Sequence, residues 1–288
     1  MKKVFAGMAA VIFLSTLGFS QKFVLKIGAG VSVASGSDFA QGIEGQMSYL
    51  TDQYAVGGRY SFPHTGMDFA GELIYSFKER MGVGLGLGFI RQAEDDTVSY
   101  ALGDVSVRER LSPSFNTIPI ALNFHYLLPV SSRLSLDLSA GGAYYLTRVN
   151  WNYSMDLSLL GLSGTDNYTL KSTAGGFGVQ AGLGLQWSLS SRIAVCLDIV
   201  GRVAPASFFG KIKGDWTEKG SGDFWNYADS GSGQYAWAYD WNAGGRSYSQ
   251  IAFQNETPSG TTISNARYAK FSMSGFAATL GLKIGIGR

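Results

Sequence analysis

The sequence has a single cysteine and two histidines among 288 residues. One thiol cannot form an intrachain disulfide, and Cys196 is interpreted as a small filler side chain on a strand. Charged residues make up 15% of the chain, well below the usual quarter or so. After the first twenty residues, no apolar run approaches the roughly 18 residues that a membrane-spanning helix needs. These shortages exclude a disulfide-stapled scaffold and a helical membrane protein.

The first twenty residues form a separate segment. Two lysines near the start precede an apolar run, and the small residues Gly18 and Ser20 stand just before the expected cut. This order predicts a secretory signal peptide at 1–20 and an exported domain at 21–288. Without the two lysines of the leader, 21 of the 23 basic residues remain against 21 acidic ones. Such a balance gives no electrostatic case for binding nucleic acid.

Glycine and aromatic residues are abundant, with 39 glycines and 14% aromatics. In RLSLDLSAGGAYYLTR, at 133–148, every second residue from Leu134 to Leu146 is apolar or small, and the residues between include Asp137. A period of two produces two faces only in an extended strand. The apolar face is long enough for a tilted membrane strand of about 9–11 residues. The same alternation recurs along the chain and predicts an all-β, antiparallel fold.

The connections between the predicted strands are alternately tight and long. Polar turns at 78–80, 129–132 and 190–191 are tight, and the connections between them are longer. Two further alternating segments between 43 and 62 are either membrane strands or a hairpin outside the membrane. The pattern therefore predicts a membrane-spanning, up-and-down β-barrel of ten strands, with eight as the alternative. Short periplasmic turns and long extracellular loops are typical of bacterial outer-membrane barrels.

An aromatic residue, a tight polar turn and a glycine-rich alternating segment follow one another repeatedly, in YLTDQYAVGGRY, YSFKERMGVGLGLG, YLLPVSSRLSLDLSAGG and WSLSSRIAVCLDIVG. In this feature the whole mature chain resembles the small outer-membrane β-barrel proteins of Gram-negative bacteria. The resemblance implies an outer-membrane location with both termini in the periplasm. It also implies contact with membrane lipid and lipopolysaccharide, and handling by the barrel assembly machinery. We expect a monomer without a cofactor.

Charged residues on the inward face of the predicted strands form the first candidate site. The set comprises Lys26, Glu44, Arg59, Glu72, Asp137, Asp198, Arg202 and Lys283. These side chains line either a polar path for small solutes or an ion-paired plug. A barrel of eight strands is filled by its own side chains, whereas open channels have about 16 strands. The predicted strand number therefore favours the plug.

The histidines argue against a lipid-modifying enzyme. His125 lacks the His-x-Ser pairing of barrel lipid deacylases. His64 lies four residues before Asp68, and such a pair is more often an ordinary pair of polar loop residues than a catalytic base with its orienting acid. The barrel proteases of ten strands use paired acids and an Asp–His pair, but Asp95 and Asp96 are adjacent and the sequence has no Asp-x-His. We therefore expect no catalytic residue. The acidic run at Asp95 is expected to be solvated rather than a metal site.

The second candidate site is the long segment 205–270, which is rich in aromatic residues. Within it YAWAYDW predicts a strand, Gly244-Gly245 a turn, and SYSQIAF the returning strand. The aromatic side chains either pack within an extended barrel wall or form a surface for a glycan, lipopolysaccharide or protein partner. The residues predicted for this surface are Trp216, Trp225, Tyr235, Trp237, Tyr239 and Trp241.

Two functions are compatible with these features. The first is a non-enzymatic outer-membrane barrel that displays extracellular loops for surface binding or envelope structure. The alternative is a narrow, porin-like transport barrel for small or amphipathic solutes. Binding requires the aromatic segment, whereas transport requires the inward charges such as Asp137 and Arg202.

Overall fold

The computed structural model describes residues 22–204 and 212–286, so the predicted signal peptide lies outside the described residues. In those ranges the chain forms one helix and fourteen strands. Their bounds are β1 Lys22–Ala34, α1 Asp38–Gln53, β2 Gly57–Gly58, β3 Thr65–Lys78, β4 Met81–Ala93, β5 Asp96–Leu102, β6 Val105–Pro129, β7 Leu134–Leu159, β8 Leu162–Ser188, β9 Ile193–Val203, β10 Lys213–Gly222, β11 Tyr227–Ala243, β12 Arg246–Gln254, β13 Ile263–Tyr268 and β14 Gly275–Ile286.

All fourteen strands belong to one antiparallel sheet. Eight of them form a ring of pairs in the order β1, β3, β4, β6, β7, β8, β9, β14, and β14 pairs back to β1. The predicted all-β, antiparallel fold is confirmed. The strand number is a correction, because the sheet has fourteen strands and the sequence predicts ten or eight.

The two ends of the ring differ. At the turn end, tight connections join β3 to β4, β6 to β7 and β8 to β9, and the described chain starts and stops there. At the loop end, β6, β7 and β8 run on to lengths of 25, 26 and 27 residues. Their upper halves pair with β5 on one side and with β10 on the other. The wall therefore rises well past the about 9–11 residues of a membrane strand.

Segments that the sequence predicts as loops are strands at this end. The chain from Asn150 to Ala174 continues β7 and β8, and it turns at Leu160 and Gly161, where φ is 50° and 87°. Positive φ at both turn residues matches the twist of a two-stranded hairpin. The charged segment after Arg91 likewise forms the β5–β6 hairpin.

The predicted long loop 205–270 is also mostly strand. Its residues 205–211 lie outside the described residues, and the rest contains β10, β11, β12 and β13. The hairpin predicted from YAWAYDW and SYSQIAF is confirmed as β11 and β12, joined at Gly244 and Gly245 with φ of 58° and 78°. Turn chemistry is local, which explains why this pair is predictable.

The prediction of strands between 43 and 62 is wrong. Residues 38–53 form α1, and Phe39, Ile43, Met47 and Leu50 follow one another at intervals of four, four and three, which places them on one helical face. The remaining residues are irregular apart from the two of β2. Within the described residues, no helix is long and apolar enough to cross a bilayer.

The apolar core of the described residues lies mainly at the loop end. Phe39 of α1 is fully buried, and its ring centroid is 5.8 Å from Phe115, 6.0 Å from Trp151 and 6.0 Å from Phe271. The helix also packs along β12. It therefore fills the space enclosed by the upper strands and closes the loop end of the ring with apolar side chains.

Candidate ligand-binding site

The interior of the ring is polar and crossed by ion pairs. Three of them have N–O distances of 2.6 or 2.7 Å: Lys26–Asp198, Lys283–Asp137 and Arg202–Asp68. A cavity of about 90 Å³ remains beside Lys26–Asp198 and Arg202–Asp68, and one of about 190 Å³ lies beside Lys283–Asp137. Both are small compared with ligand sites of about 300–1,000 Å³. The ion pairs therefore leave little free volume in this part of the ring.

His125 joins two of the buried carboxylates. Its Nε2 lies 3.0 Å from Glu72 Oε1, and its Nδ1 lies 3.1 Å from Asp137 Oδ1. The Asn123 side chain donates a hydrogen bond of 2.8 Å to the same oxygen of Glu72. Because Lys283 also contacts Asp137, both carboxylates have several polar partners, as a buried charge requires.

Two glycines provide room for carboxylates in this interior. A Cβ atom on Gly84 would stand 2.3 Å from Glu72 Oε1, and one on Gly184 would stand 2.4 Å from Asp198 Oδ1. Any side chain at either position would displace a carboxylate. This close approach gives a physical reason for glycine in the alternating segments of β4 and β8.

Six of the eight predicted inward charges lie inside the ring, and Glu44 and Arg59 do not. Glu44 lies on the exposed side of α1, with Oε1 3.6 Å from His64 Nε2, and Arg59 is exposed in the irregular segment that follows α1. Both corrections have one cause, since the segment that carries them is not a strand. Asp68 contacts Arg202 in the ring interior rather than His64.

The acidic residues after β4 bind neighbouring loop-end groups. Asp95 accepts hydrogen bonds from the side chains of Arg110 and Ser112, and Asp96 accepts one of 2.6 Å from the backbone N–H of Ser61. No group of three or more His, Cys, Asp or Glu side chains within residues 22–204 and 212–286 is placed to hold a metal ion.

The predicted aromatic surface does not form one exposed face. Trp237 is only 5% exposed, its ring stacks on Tyr268 at 4.3 Å, and its indole N–H donates to the Gln254 carbonyl at 3.0 Å. Trp216 stacks on Tyr168 with centroids 6.3 Å apart. Strand β13 pairs edge to edge with part of β11, and the local sequence pattern does not reveal this pairing.

The other four predicted aromatics also have neighbours. Ring contacts join Trp225 to Phe224 at 6.2 Å, Tyr235 to Tyr268 at 5.3 Å and Trp241 to Tyr49 at 6.5 Å. Tyr239 borders a cavity of about 330 Å³ at the loop end. This volume falls within the usual range for small-molecule sites, about 300–1,000 Å³.

The cavity lies between α1, the upper parts of β6, β7 and β8, and the β11–β12 hairpin. Its lining combines aromatic rings with a few polar groups, among them Tyr60, Glu109, Trp151, Tyr153, Tyr168 and Gln250. Tyr153, Tyr168 and Gln46 are each partly exposed. Such a lining, mostly aromatic with few polar groups, is typical of a site for a small organic ligand.

Glu109 is the buried charge of this cavity, with 4% exposure. The Tyr60 hydroxyl donates to its Oε2 at 2.9 Å, and the Tyr100 hydroxyl donates to its Oε1. Among the described residues, no Lys, Arg or His forms an ion pair with this carboxylate. When ionised, this buried carboxylate has only neutral donors beside it, so a cationic ligand would supply the missing counter-charge.

Glu109 is not among the site residues predicted from the sequence, although one signal in the sequence points to it. Val107, Glu109 and Leu111 are alternate residues of one strand, so a carboxylate interrupts an apolar face. The partners Tyr60 and Tyr100 lie 49 and 9 residues away. Only the folded chain brings these three side chains together.

Burial raises the pKa of Tyr60, Tyr100 and Tyr153 well above the ordinary value of tyrosine, and the nearby negative charge of Glu109 raises it further. The three hydroxyls therefore stay protonated at neutral pH. Tyr60 and Tyr100 remain donors to Glu109.

We expect these three tyrosines to resist ionisation between about pH 10 and 12, where exposed tyrosine ionises. Because the pKa is raised in the folded state, their contribution to stability is present below about pH 10 and is lost as the pH rises through the folded pKa. Absorbance at 295 nm counts the ionised hydroxyls, with the guanidinium-unfolded chain as control. Equal titration of the folded and unfolded chains would contradict the described burial.

The chain matches no protein-family model and no curated protein. Similar solved structures include a major outer membrane protein from Thermus thermophilus, with 13% identity and a TM-score of 0.36, covering 93% of this chain and 100% of that one. Another is the outer membrane protease OmpT from Escherichia coli, with 10% identity and a TM-score of 0.33, covering 94% of this chain and 100% of that one. Similarity at this level establishes neither a family nor an activity.

Proposed function

We propose that this protein is an integral outer-membrane barrel that binds a small organic cation at its loop end. Membrane insertion is inferred from the inverted burial of the ring. Large apolar side chains face outward, with Val31, Leu87 and Leu122 60–62% exposed, whereas Asp68 and Asp137 inside the ring are 1% and 2% exposed. An apolar belt of this kind is unfavourable in water and matches the lipid-facing band of a membrane barrel.

Aromatic pairs near both ends of the belt support this placement. Near the turn end the ring centroids of Phe77 and Phe124 are 6.3 Å apart, and near the loop end those of Tyr144 and Phe177 are 4.7 Å apart. Membrane barrels carry aromatic girdles at both interfaces. The predicted signal peptide and the tight turns favour a periplasmic turn end and an extracellular loop end.

The binding role is favoured over transport because of where the free volume lies. Ion pairs occupy the ring interior and leave cavities of about 90 Å³ and about 190 Å³ there, whereas the loop-end cavity has about 330 Å³. The loop end thus offers a ligand-sized space, and the ring interior offers none of that size among the described residues. We propose a non-enzymatic role on these grounds.

The ligand class follows from Glu109 and the rings around it. The carboxylate supplies a negative charge without an ion-pair partner among the described residues, and Trp151, Tyr153 and Tyr168 supply aromatic surface. A cation over an aromatic ring gains roughly 0.5–1 kcal/mol at an exposed site and about 2 kcal/mol or more where water is removed. A compact ammonium compound matches both features.

Choline and its uncharged isostere 3,3-dimethylbutanol test this assignment, by calorimetry on the refolded protein in a non-ionic sugar detergent. We expect choline to bind at least tenfold more tightly than the isostere. Glu109→Gln should remove most of that preference, because the amide loses the charge while keeping the size of the side chain and one of its two acceptor oxygens. The expected loss in choline affinity is about 10- to 100-fold.

Glu94→Gln is the matched control, because Glu94 is an exposed carboxylate at the same end. The choline affinity of this variant should equal that of the unaltered protein. Equal binding of choline and the isostere would assign the cavity to apolar ligands. Failure of the folded, inserted protein to bind choline at millimolar concentration would refute the cationic ligand.

A further inference from the structure

A second concave surface lies on the outside of the wall, where the ring passes into the loop end. This groove has a volume of about 1180 Å³. One edge is apolar, with Phe89, Ile118 and Leu146, and the other carries three cations, Arg148, Lys171 and Lys213. The groove is distinct from the loop-end cavity, since the two share no lining residue.

Strand register places the cations side by side. Arg148 of β7 is opposite Thr173 of β8, which is opposite Lys213 of β10. Neighbouring strands are about 4.8 Å apart, so the backbones of Arg148 and Lys213 are separated by about 10 Å. Lys171 is two residues from Thr173 along β8 and therefore projects from the same face. Three long basic side chains can thus converge on one anion.

The same register sets the depth of these cations. Ile118 of β6 is directly opposite Leu146 of β7, and Asn116 is directly opposite Arg148. The first pair lies two residues nearer the turn end than the second. Two residues of strand span about 7 Å, or about 5 Å of depth in a barrel with strands tilted by about 40°. Ile118 and Leu146 are 41% and 44% exposed and belong to the apolar belt. Arg148 therefore lies at the level where lipid headgroups meet the belt.

The charge of the groove is available to a ligand. Within the described residues none of Arg148, Lys171 and Lys213 is in an ion pair. Lys213 lies 5.4 Å from the ring centroid of Tyr235. The groove also contains one carboxylate, Asp215, opposite Lys171 in register. Three cations against one carboxylate leave an excess of positive charge that suits a phosphate.

We propose that this groove binds one membrane lipid with a phosphate on its headgroup. The phosphate would lie among Arg148, Lys171 and Lys213, and the acyl chains would lie along Phe89, Ile118 and Leu146. The inference rests on the membrane placement under the proposed function and is independent of the organic cation. Phosphate contacts with Arg and Lys favour an anionic headgroup, and the apolar edge favours a lipid over free phosphate.

Native mass spectrometry of the delipidated protein, refolded in a non-ionic detergent, tests the proposal. The probes are phosphatidic acid, a diacylglycerol with the same chains, and inorganic phosphate. We expect one retained phosphatidic acid per chain, and at least tenfold weaker retention of the other two. The R148A/K171A/K213A variant should lose at least tenfold in retention of phosphatidic acid. Lys171→Ala alone should lose part of it, which keeps the test usable if the triple variant does not fold.

Lys219→Ala is the matched control. Lys219 lies on the same strand as Lys213, six residues further from the apolar belt, or about 20 Å away, and is exposed. The Lys219→Ala variant should retain as much phosphatidic acid as the unaltered protein. The lipid site would be overturned if the triple variant retained as much phosphatidic acid as the unaltered protein, or if Lys219→Ala lost as much as the triple variant. It would also be overturned if diacylglycerol or inorganic phosphate were retained as well as phosphatidic acid. Insertion into vesicles, measured on the same preparation, separates these outcomes from a failure of the membrane placement itself.

Discussion

Asp137→Ala is expected to lower the free energy of unfolding by about 3–5 kcal/mol, because it leaves buried charges without their partner. Lys283 Nζ lies 2.7 Å and His125 Nδ1 3.1 Å from the Asp137 carboxylate, which is 2% exposed. Lys283 has no other ion-pair partner among the described residues. Urea unfolding of the protein in vesicles, followed by tryptophan fluorescence, measures the loss.

Asp104→Ala provides the comparison. Asp104 is an exposed carboxylate at the β5–β6 turn, and its removal should leave the unfolding curve unchanged. The result also bears on function. A loss below about 1 kcal/mol for Asp137→Ala, in the range of exposed ion pairs, would indicate a solvated interior. Steady single-channel conductance would then be expected, and the transport alternative would replace the plugged ring.

Phe39→Ala is expected to cost about 3–5 kcal/mol, the usual range for deleting a buried phenylalanine. Phe39 is 0% exposed and packs against Phe115, Trp151 and Phe271. Paired strands hold the surrounding rings in place, so the cavity left by the deletion would collapse only in part. Unfolding in urea and limited proteolysis of the loop end measure the effect, and the ring should stay resistant to protease.

Phe224→Ala is the matched control for this substitution. Phe224 is 37% exposed and contacts Trp225, so its loss should cost far less. Choline affinity should fall with Phe39→Ala, because Ile43 of α1 lines the loop-end cavity, and should stay constant with Phe224→Ala. Equal destabilisation by the two variants would mean that α1 does not organise the loop end.

The strands of the ring could be predicted because their signal is local. Leu134 to Leu146 alternates within one strand, and Gly244-Gly245 defines the turn of the β11–β12 hairpin without help from other segments. The helix α1 could also have been recognised, since Phe39, Ile43 and Met47 follow the helical period. A period of two was instead assigned to a segment in which only a few residues alternate.

The candidate sites depend on pairings that no local pattern contains. Glu109 receives hydroxyl donors from Tyr60 and Tyr100, and the cavity around it needs α1, three long strands and the β11–β12 hairpin. The groove needs Arg148 and Lys213 to lie close together. They do so only because β10 pairs with the upper half of β8, which places both residues opposite Thr173.

By itself the sequence determined the antiparallel strands, the inward or outward direction of their side chains, and hence the apolar belt and the polar interior. These properties follow from a period of two along one strand. Tertiary structure decided the strand number, the ion-pair partners, the helix-filled loop end and the two candidate binding surfaces. Each of these depends on which strands become neighbours and in which register, and a shift of one residue would turn every side chain to the opposite face.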